Sequence, residues 1–290
     1  MPFTLSHPAA VLPLMRRPFS RAALVAGAVA PDMPYFVVTT GLPVSAQSWY
    51  EPFVNATTSH TAPGAVTVTL PYALTLWGLF RAGHRPLASL LPIRVPPSPP
   101  RTAGMLIQRA GWIVLSALIG IATHLLWDAF THHDGFVATH APWLTSKLVG
   151  SLTWARALQH ASTIGGLAAT AAYVWRRRAR LLTDQVRTGL SGATRRPALL
   201  AVALVTVVGA VTHAWSWLAD PDAATTGLRP SAVIEGVLSD AAKGAGSALI
   251  GALVLYAAVW WIWHAVTSAR TRGSGAGSGY DDAPRANTTA

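Results

Sequence analysis

The run Thr123-His-Leu-Leu-Trp-Asp-Ala-Phe-Thr-His132 is the densest concentration of potential chemistry in the chain. His124, Asp128 and His132 recur at a spacing of four, which on a helix stacks their side chains along one face. Gly135 then reads as a helix stop. Two imidazoles and a carboxylate converging on one point form the kind of ligand set that holds zinc and related divalent ions. The same spacing also suits a hydrogen-bonded His–Asp pair that ties the helix to a neighbour, so the pattern alone leaves both readings open. Asp32 is a second anomaly, a carboxylate after Ala30-Pro31 inside an otherwise apolar run from Ala22 to Thr39. A charge in such a run needs a partner, a cation or a proton, or it caps a helix that restarts after Pro31.

The elements that must position these groups are membrane helices. Of the 290 residues, 51% are hydrophobic and only 11% charged, with a mean hydropathy of +0.38. Soluble domains carry about 25% charged residues, so an ordinary soluble enzyme is excluded. The absence of cysteine removes disulfides, thiolate zinc sites, iron–sulfur clusters and cysteine nucleophiles. A helix crossing the hydrocarbon needs about 20 apolar residues. Uncharged stretches long enough lie between His60 and Arg81, Arg109 and Asp128, Arg156 and Arg176, Arg196 and Asp220, and Lys243 and Arg270. Ala22–Thr39 makes a sixth, broken at Ala30-Pro31-Asp32.

The distribution of charge supports six alternating spans. They place 18 of the 22 Lys/Arg residues on one side, in the N-terminus, the 81–109 loop, the 176–196 loop and the tail. The positive-inside rule makes that side cytoplasmic. The expected fold is therefore an all-α polytopic bundle of about six spans, the first one broken, with both termini cytoplasmic. Residues 1–267 form one transmembrane domain, and 268–290 read as a disordered cytoplasmic tail. Residues 94–100 read as a stiff proline-rich loop. In this arrangement His60, His160 and His213 fall at the same non-cytoplasmic edge as His124. His60 also suits an exposed loop, and His213 suits helix packing. His133, Asp134 and His140 read as loop residues.

These motifs carry a resemblance. Met1-Pro-Phe-Thr-Leu-Ser-His-Pro-Ala-Ala10, Ala30-Pro-Asp-Met-Pro-Tyr-Phe36, Ser59-His-Thr61, the His124–His132 run and Leu158-Gln-His-Ala-Ser-Thr163 resemble a bacterial membrane family, the domain of unknown function numbered 4184. The similarity runs from residue 1 to about Leu167 and more weakly to about residue 267. That family is in turn similar to membrane-bound proteins described as metal-dependent hydrolases. Carried over position by position, the resemblance implies a site of His7, Asp32, His60, His124 and Asp128. His7 strains the topology, because it precedes Arg16, Arg17 and Arg21 and so falls on the cytoplasmic side. Phe3–Met15 is too short to span and reads as a re-entrant element.

The leading expectation is an integral membrane, divalent-metal-dependent hydrolase of lipid-like esters or phosphoesters, at the bacterial inner membrane. Zinc is the first choice of metal, with manganese or iron as alternatives. His7, Asp32, His60, His124 and Asp128 are the expected ligands. Asp32 doubles as general base, and His132 as proton donor to the leaving group. Two other readings remain: a metal-ion or proton transporter, and a non-catalytic membrane scaffold. Membrane lipids are the expected partners. No nucleic-acid partner is expected, because the Arg176–Arg180 cluster abuts a span and is accounted for by topology and anionic lipid. Gly165-Gly166 and Gly244-Ala-Gly246 read as helix-packing residues rather than phosphate loops.

Overall fold

The computed structural model describes residues 4–45, 47–94, 102–132, 135–182, 190–219 and 230–276. The chain opens with an 11-residue 3-10 segment, Thr4–Leu14, containing Pro8 and Pro13. Helix α1 (Arg21–Val29) starts at Ser20, whose hydroxyl accepts a hydrogen bond from the Ala23 amide. Pro31 then ends regular helix. A 3-10 turn, Ala30–Asp32, separates α1 from α2 (Met33–Val38). The break expected in the first apolar run is thus present, and it falls at Asp32.

Three short helices follow: α3 (Glu51–Val54), α4 (Ala56–Ser59) and α5 (Ala62–Gly64). A π-helical turn, Ala65–Thr69, leads into α6 (Leu70–Leu90). Such turns are uncommon and recur beside functional sites. Helix α7 covers Ala103–Thr131, and the short α8 (Phe136–His140) and α9 (Pro142–Thr145) follow it. A small antiparallel hairpin of β1 (Lys147–Val149) and β2 (Leu152–Thr153) is a minor exception to the all-helical expectation. The chain closes with α10 (Trp154–Leu181), α11 (Gly192–Leu218) and α12 (Pro230–Ala276).

Among the described residues, four helical stretches are long and apolar enough to cross a membrane: Ala62–Leu90, Ala103–His140, Gly192–Trp215 and Val233–Ala269. Helix α10 has the length, but its middle is rich in Ala, Gly and Thr and its end carries four arginines. Helix α12 continues to Ala276, past the expected start of the tail at 268. The proline-rich segment from 95 to 100, His133, Asp134 and the tail from 277 onward lie outside the described residues.

Small residues set the helix spacing, as they do where lipid gives no hydrophobic drive for helices to associate. A Cβ on Gly27 would stand 2.1 Å from the Ala117 carbonyl oxygen, and one on Gly120 would stand 2.3 Å from the Leu24 carbonyl oxygen. Helices α1 and α7 therefore touch backbone to backbone, over a core of Ala23, Ala30, Ala73, Ile113, Ala117 and Ile121. Gly244 of α12 meets Gly209 and His213 of α11 in the same way, and Gly246 meets Phe36.

The N-terminal segment lies beside α1 and runs antiparallel to it. Thr4 bonds Asp32 at the far end of α1, Val11 packs with Leu24 and Ala28, and Arg17 lines the same cavity as Arg109 and Trp112 near the start of α7. At about 2.0 Å per residue the segment covers about 22 Å. The first described residues consequently lie at the Asp32 end of the bundle, opposite Arg16, Arg17 and Arg21. His7 and the three arginines therefore lie at opposite ends of this segment.

Gly120→Ala should force α1 and α7 apart and destabilise the protein by about 1–3 kcal/mol. Gly111→Ala, in the same helix with nothing within 4 Å of the new methyl, should be neutral or stabilising by up to about 1 kcal/mol. Thermal unfolding in detergent separates the two, and equal shifts would contradict backbone contact at Gly120.

Candidate metal centre

The N-terminal segment, the break after α1, the end of α4 and the last turns of α7 all contribute to a single cluster. His124 and Asp128 come from α7, one turn apart, at relative exposures of 0% and 6%. Asp32 comes from the 3-10 break after α1 and is 1% exposed. His60 caps the C-terminal end of α4. In a 3-10 helix residues three apart eclipse one another. Thr4 and His7 therefore share the face turned toward Asp32 and Asp128, and His7 is 4% exposed.

The distances define the cluster. His124 Nε2 lies 3.2 Å from Asp128 Oδ2 and 3.5 Å from Asp32 Oδ1. His60 Nε2 lies 3.4 Å from Asp128 Oδ2 and 3.7 Å from Asp32 Oδ1. His7 Nε2 is 3.7 Å from Asp128 Oδ1, and His132 Nε2 is 3.6 Å from Asp128 Oδ2. One ligand atom from each of Asp32, His60, His124 and Asp128 falls within 4.8 Å of all the others. The His7 ring stacks on that of His124 at 3.7 Å between centroids.

Most of these separations are too long for hydrogen bonds. Nε2 of His7, His60 and His124, Oδ1 of Asp32 and both carboxylate oxygens of Asp128 are buried without a hydrogen-bond partner. Orphaned polar atoms at that density are rare in folded proteins. Two atoms bonded to one tetrahedral ion at about 2.0–2.1 Å would stand about 3.4 Å apart. The observed spacing matches that value, so the residues present fit a divalent cation.

The opposite edges of the same side chains are fully engaged. His124 Nδ1–H donates to the Ala28 carbonyl at 2.7 Å, and His60 Nδ1–H donates to the Ala56 carbonyl at 2.7 Å. Each bond selects the tautomer that leaves the Nε2 lone pair facing the centre. The Thr4 hydroxyl donates to Asp32 Oδ2 at 2.7 Å, which leaves Oδ1 turned inward. Ser59, fully buried, donates to the Pro31 carbonyl at 2.7 Å, and the Thr69 hydroxyl of the π turn donates to the Ser59 carbonyl at 2.8 Å. Ser59 thus ties the His60 loop to the Asp32 break.

His7 lies outside the four apolar helices. Burial pushes its pKa well below the ordinary histidine value, which favours the neutral ring at pH 7.

Six side chains singled out in the sequence come together here: His7, Asp32, His60, His124, Asp128 and His132. Two details differ. Helix α7 ends at Thr131, and His132 caps it with extended backbone, donating its amide to the Asp128 carbonyl at 3.0 Å. Gly135 is not a left-handed helix stop. It is small because a Cβ there would meet the Ala129 carbonyl oxygen at 2.5 Å. His160 is exposed and takes no part, while His213 packs on Gly244 of α12. The supporting groups at Thr4, Ala28, Ala56 and Gly120 were missed. Three act through backbone atoms or by lacking a side chain, and only Thr4, three residues before His7, left a signal in the spacing.

A family model described as a domain of unknown function, DUF4184, matches residues 1–266. The chain belongs to the DUF4184 family. The match takes in every residue of the cluster and most of α12. No curated protein and no solved structure matches the chain.

Thr4→Val should leave all six cluster residues in place yet lower metal affinity about 10–100-fold, the usual effect of removing an outer hydrogen bond from a ligand. Competition with a fluorescent chelator reads that change, and unaltered affinity would show that Asp32 needs no orientation by Thr4.

Proposed function

We propose that this DUF4184 protein is a membrane-embedded, divalent-metal-dependent hydrolase acting on lipid-like esters or phosphoesters. The observation that carries the reading is the convergence of orphaned imidazole and carboxylate atoms at metal-ligand spacing. When bound, the ion would lower the pKa of a coordinated water and polarise the scissile carbonyl or phosphoryl group. Asp32, His60, His124 and Asp128 would hold it, with His7 beside them. Zinc suits the mixed imidazole and carboxylate set first, and manganese and iron suit it next. Asp32 is nearly fully buried, with one oxygen held by Thr4, which favours a ligand over a general base.

Access favours catalysis over a purely structural site, because structural zinc sites are closed. The His60 and His132 side chains are 19% and 22% exposed, whereas those of His7, Asp32, His124 and Asp128 are 7% or less. A substrate would approach across the His60–His132 rim. His132, 3.6 Å from Asp128 and the more open of the two, is the group we assign to protonate the leaving group. Exposed Trp127, Phe130 and Phe136 flank this end of α7, an apolar surround suited to an acyl chain. Six spans with the arginine-rich end cytoplasmic would put the rim at the non-cytoplasmic edge.

Purified wild-type protein should contain near-stoichiometric divalent metal by mass spectrometry, lost in His124→Ala and Asp128→Ala. His132→Ala should keep the metal while hydrolysis of phospholipids or lipid esters falls at least about 100-fold. Metal retention with no hydrolysis by the wild type would favour the scaffold or transporter instead. Because imidazoles bind metal only when deprotonated, apparent metal affinity should weaken as pH is lowered, and an affinity independent of pH in chelator competition would argue against histidine ligation.

A further inference from the structure

A second concavity lies at the other end of α7. It holds about 550 Å³ and is bounded by the loop before α1 and by α6 and α7. Arg17, Arg81 and Arg109 line it, together with Trp77, Phe80 and Trp112. No carboxylate contributes to the lining. Among the described residues none of the three guanidiniums takes part in an ion pair, although Arg156 and Lys243 elsewhere each find a carboxylate. Three like charges around one concavity repel one another unless an anion joins them.

The wall below the arginines is apolar and rigid. Phe19 meets Trp112 edge to face at 5.7 Å, and Ser20, which begins α1, is pinned by its amide to the Ser116 hydroxyl at 2.9 Å. Arg109 and Asp128 are 19 residues apart on one helix, or about 29 Å, close to the thickness of the hydrocarbon core. The cavity therefore sits at the opposite interface from the histidine cluster, on the side where the arginines concentrate. Planar guanidiniums match phosphate oxygens in pairs, and tryptophan favours headgroup depth.

We propose that this groove binds one anionic phospholipid, its phosphate between Arg17, Arg81 and Arg109 and its acyl chains along Trp77, Phe80 and Trp112. The site is separate from the metal centre and does not depend on the hydrolase reading. A soluble polyanion would match the charges but would leave the aromatic wall without a partner.

The test is native mass spectrometry of the full-length protein released from nanodiscs of mixed phosphatidylcholine and phosphatidylglycerol. The wild type should retain phosphatidylglycerol in preference to phosphatidylcholine. Arg81→Gln/Arg109→Gln should weaken that retention about thirtyfold, with the thermal transition preserved. Equal retention of the two lipids by the wild type would overturn the proposal. So would a well-folded double variant that keeps its phosphatidylglycerol, or displacement of the lipid by millimolar inorganic phosphate, which would mark a site for soluble anions. Should the double variant not fold, Arg17→Gln, on an exposed side chain, reads the same outcome, and the wild-type lipid preference decides independently.

Discussion

Two carboxylates buried within 4.8 Å of each other set the terms for the rest of the molecule. At an effective dielectric of about 20, two such charges repel by about 3.5 kcal/mol or more, in addition to the cost of taking each out of water. Neutral imidazoles offset neither cost. Asp32 and Asp128 therefore demand positive charge from somewhere. No lysine or arginine reaches them among the described residues. What surrounds them instead is a ring of imidazole nitrogens at ligand spacing, already held in one tautomer by backbone carbonyls. The site is arranged so that it could hold a cation.

That arrangement depends on how closely helices approach. The Ala28 carbonyl can accept from His124 only because α1 and α7 touch through Gly27 and Gly120. His124 lies one turn beyond Gly120, so the residue that permits the contact and the residue that exploits it share a face. Gly166 plays a similar part on α10, where a Cβ would stand 2.7 Å from the Ser6 carbonyl oxygen. That contact supports the 3-10 segment next to His7. Rigidity at the cluster thus comes from backbone contacts some distance along each helix rather than from large core side chains.

The membrane reading and the site reading reinforce one another. Asp32 is buried at a break in helix, where the Thr4 hydroxyl satisfies one of its oxygens, while Asp128 sits in the last turn of α7 beside further breaks. The Ala30–Asp32 turn, the Asn55–Thr61 loop and the π turn at Ala65–Thr69 are such breaks, and all of them border the cluster. At the far end of α7 the regular helices carry arginines and tryptophans instead. The two ends of the bundle are chemically distinct along a single helix axis.

Much of this was legible in residue order alone. The apolar runs announce membrane helices, the i, i+4 spacing of His124, Asp128 and His132 announces a shared face, and Pro31 announces a break beside Asp32. These are local properties, set by helix period and by proline's missing amide. What residue order left open was His7. Charge alternation assigned it to the arginine side, because that rule counts only complete crossings. The tertiary structure decided otherwise: a segment too short to span folds back along α1 and returns its first residues to the Asp32 end. The backbone carbonyls that set the imidazole tautomers, and the glycines that bring them within reach, were equally invisible, since carbonyl groups are common to every residue and their direction depends on how helices cross. Residue types and local spacing therefore determined which side chains could meet, while long-range packing decided that they do, and with which atoms facing inward.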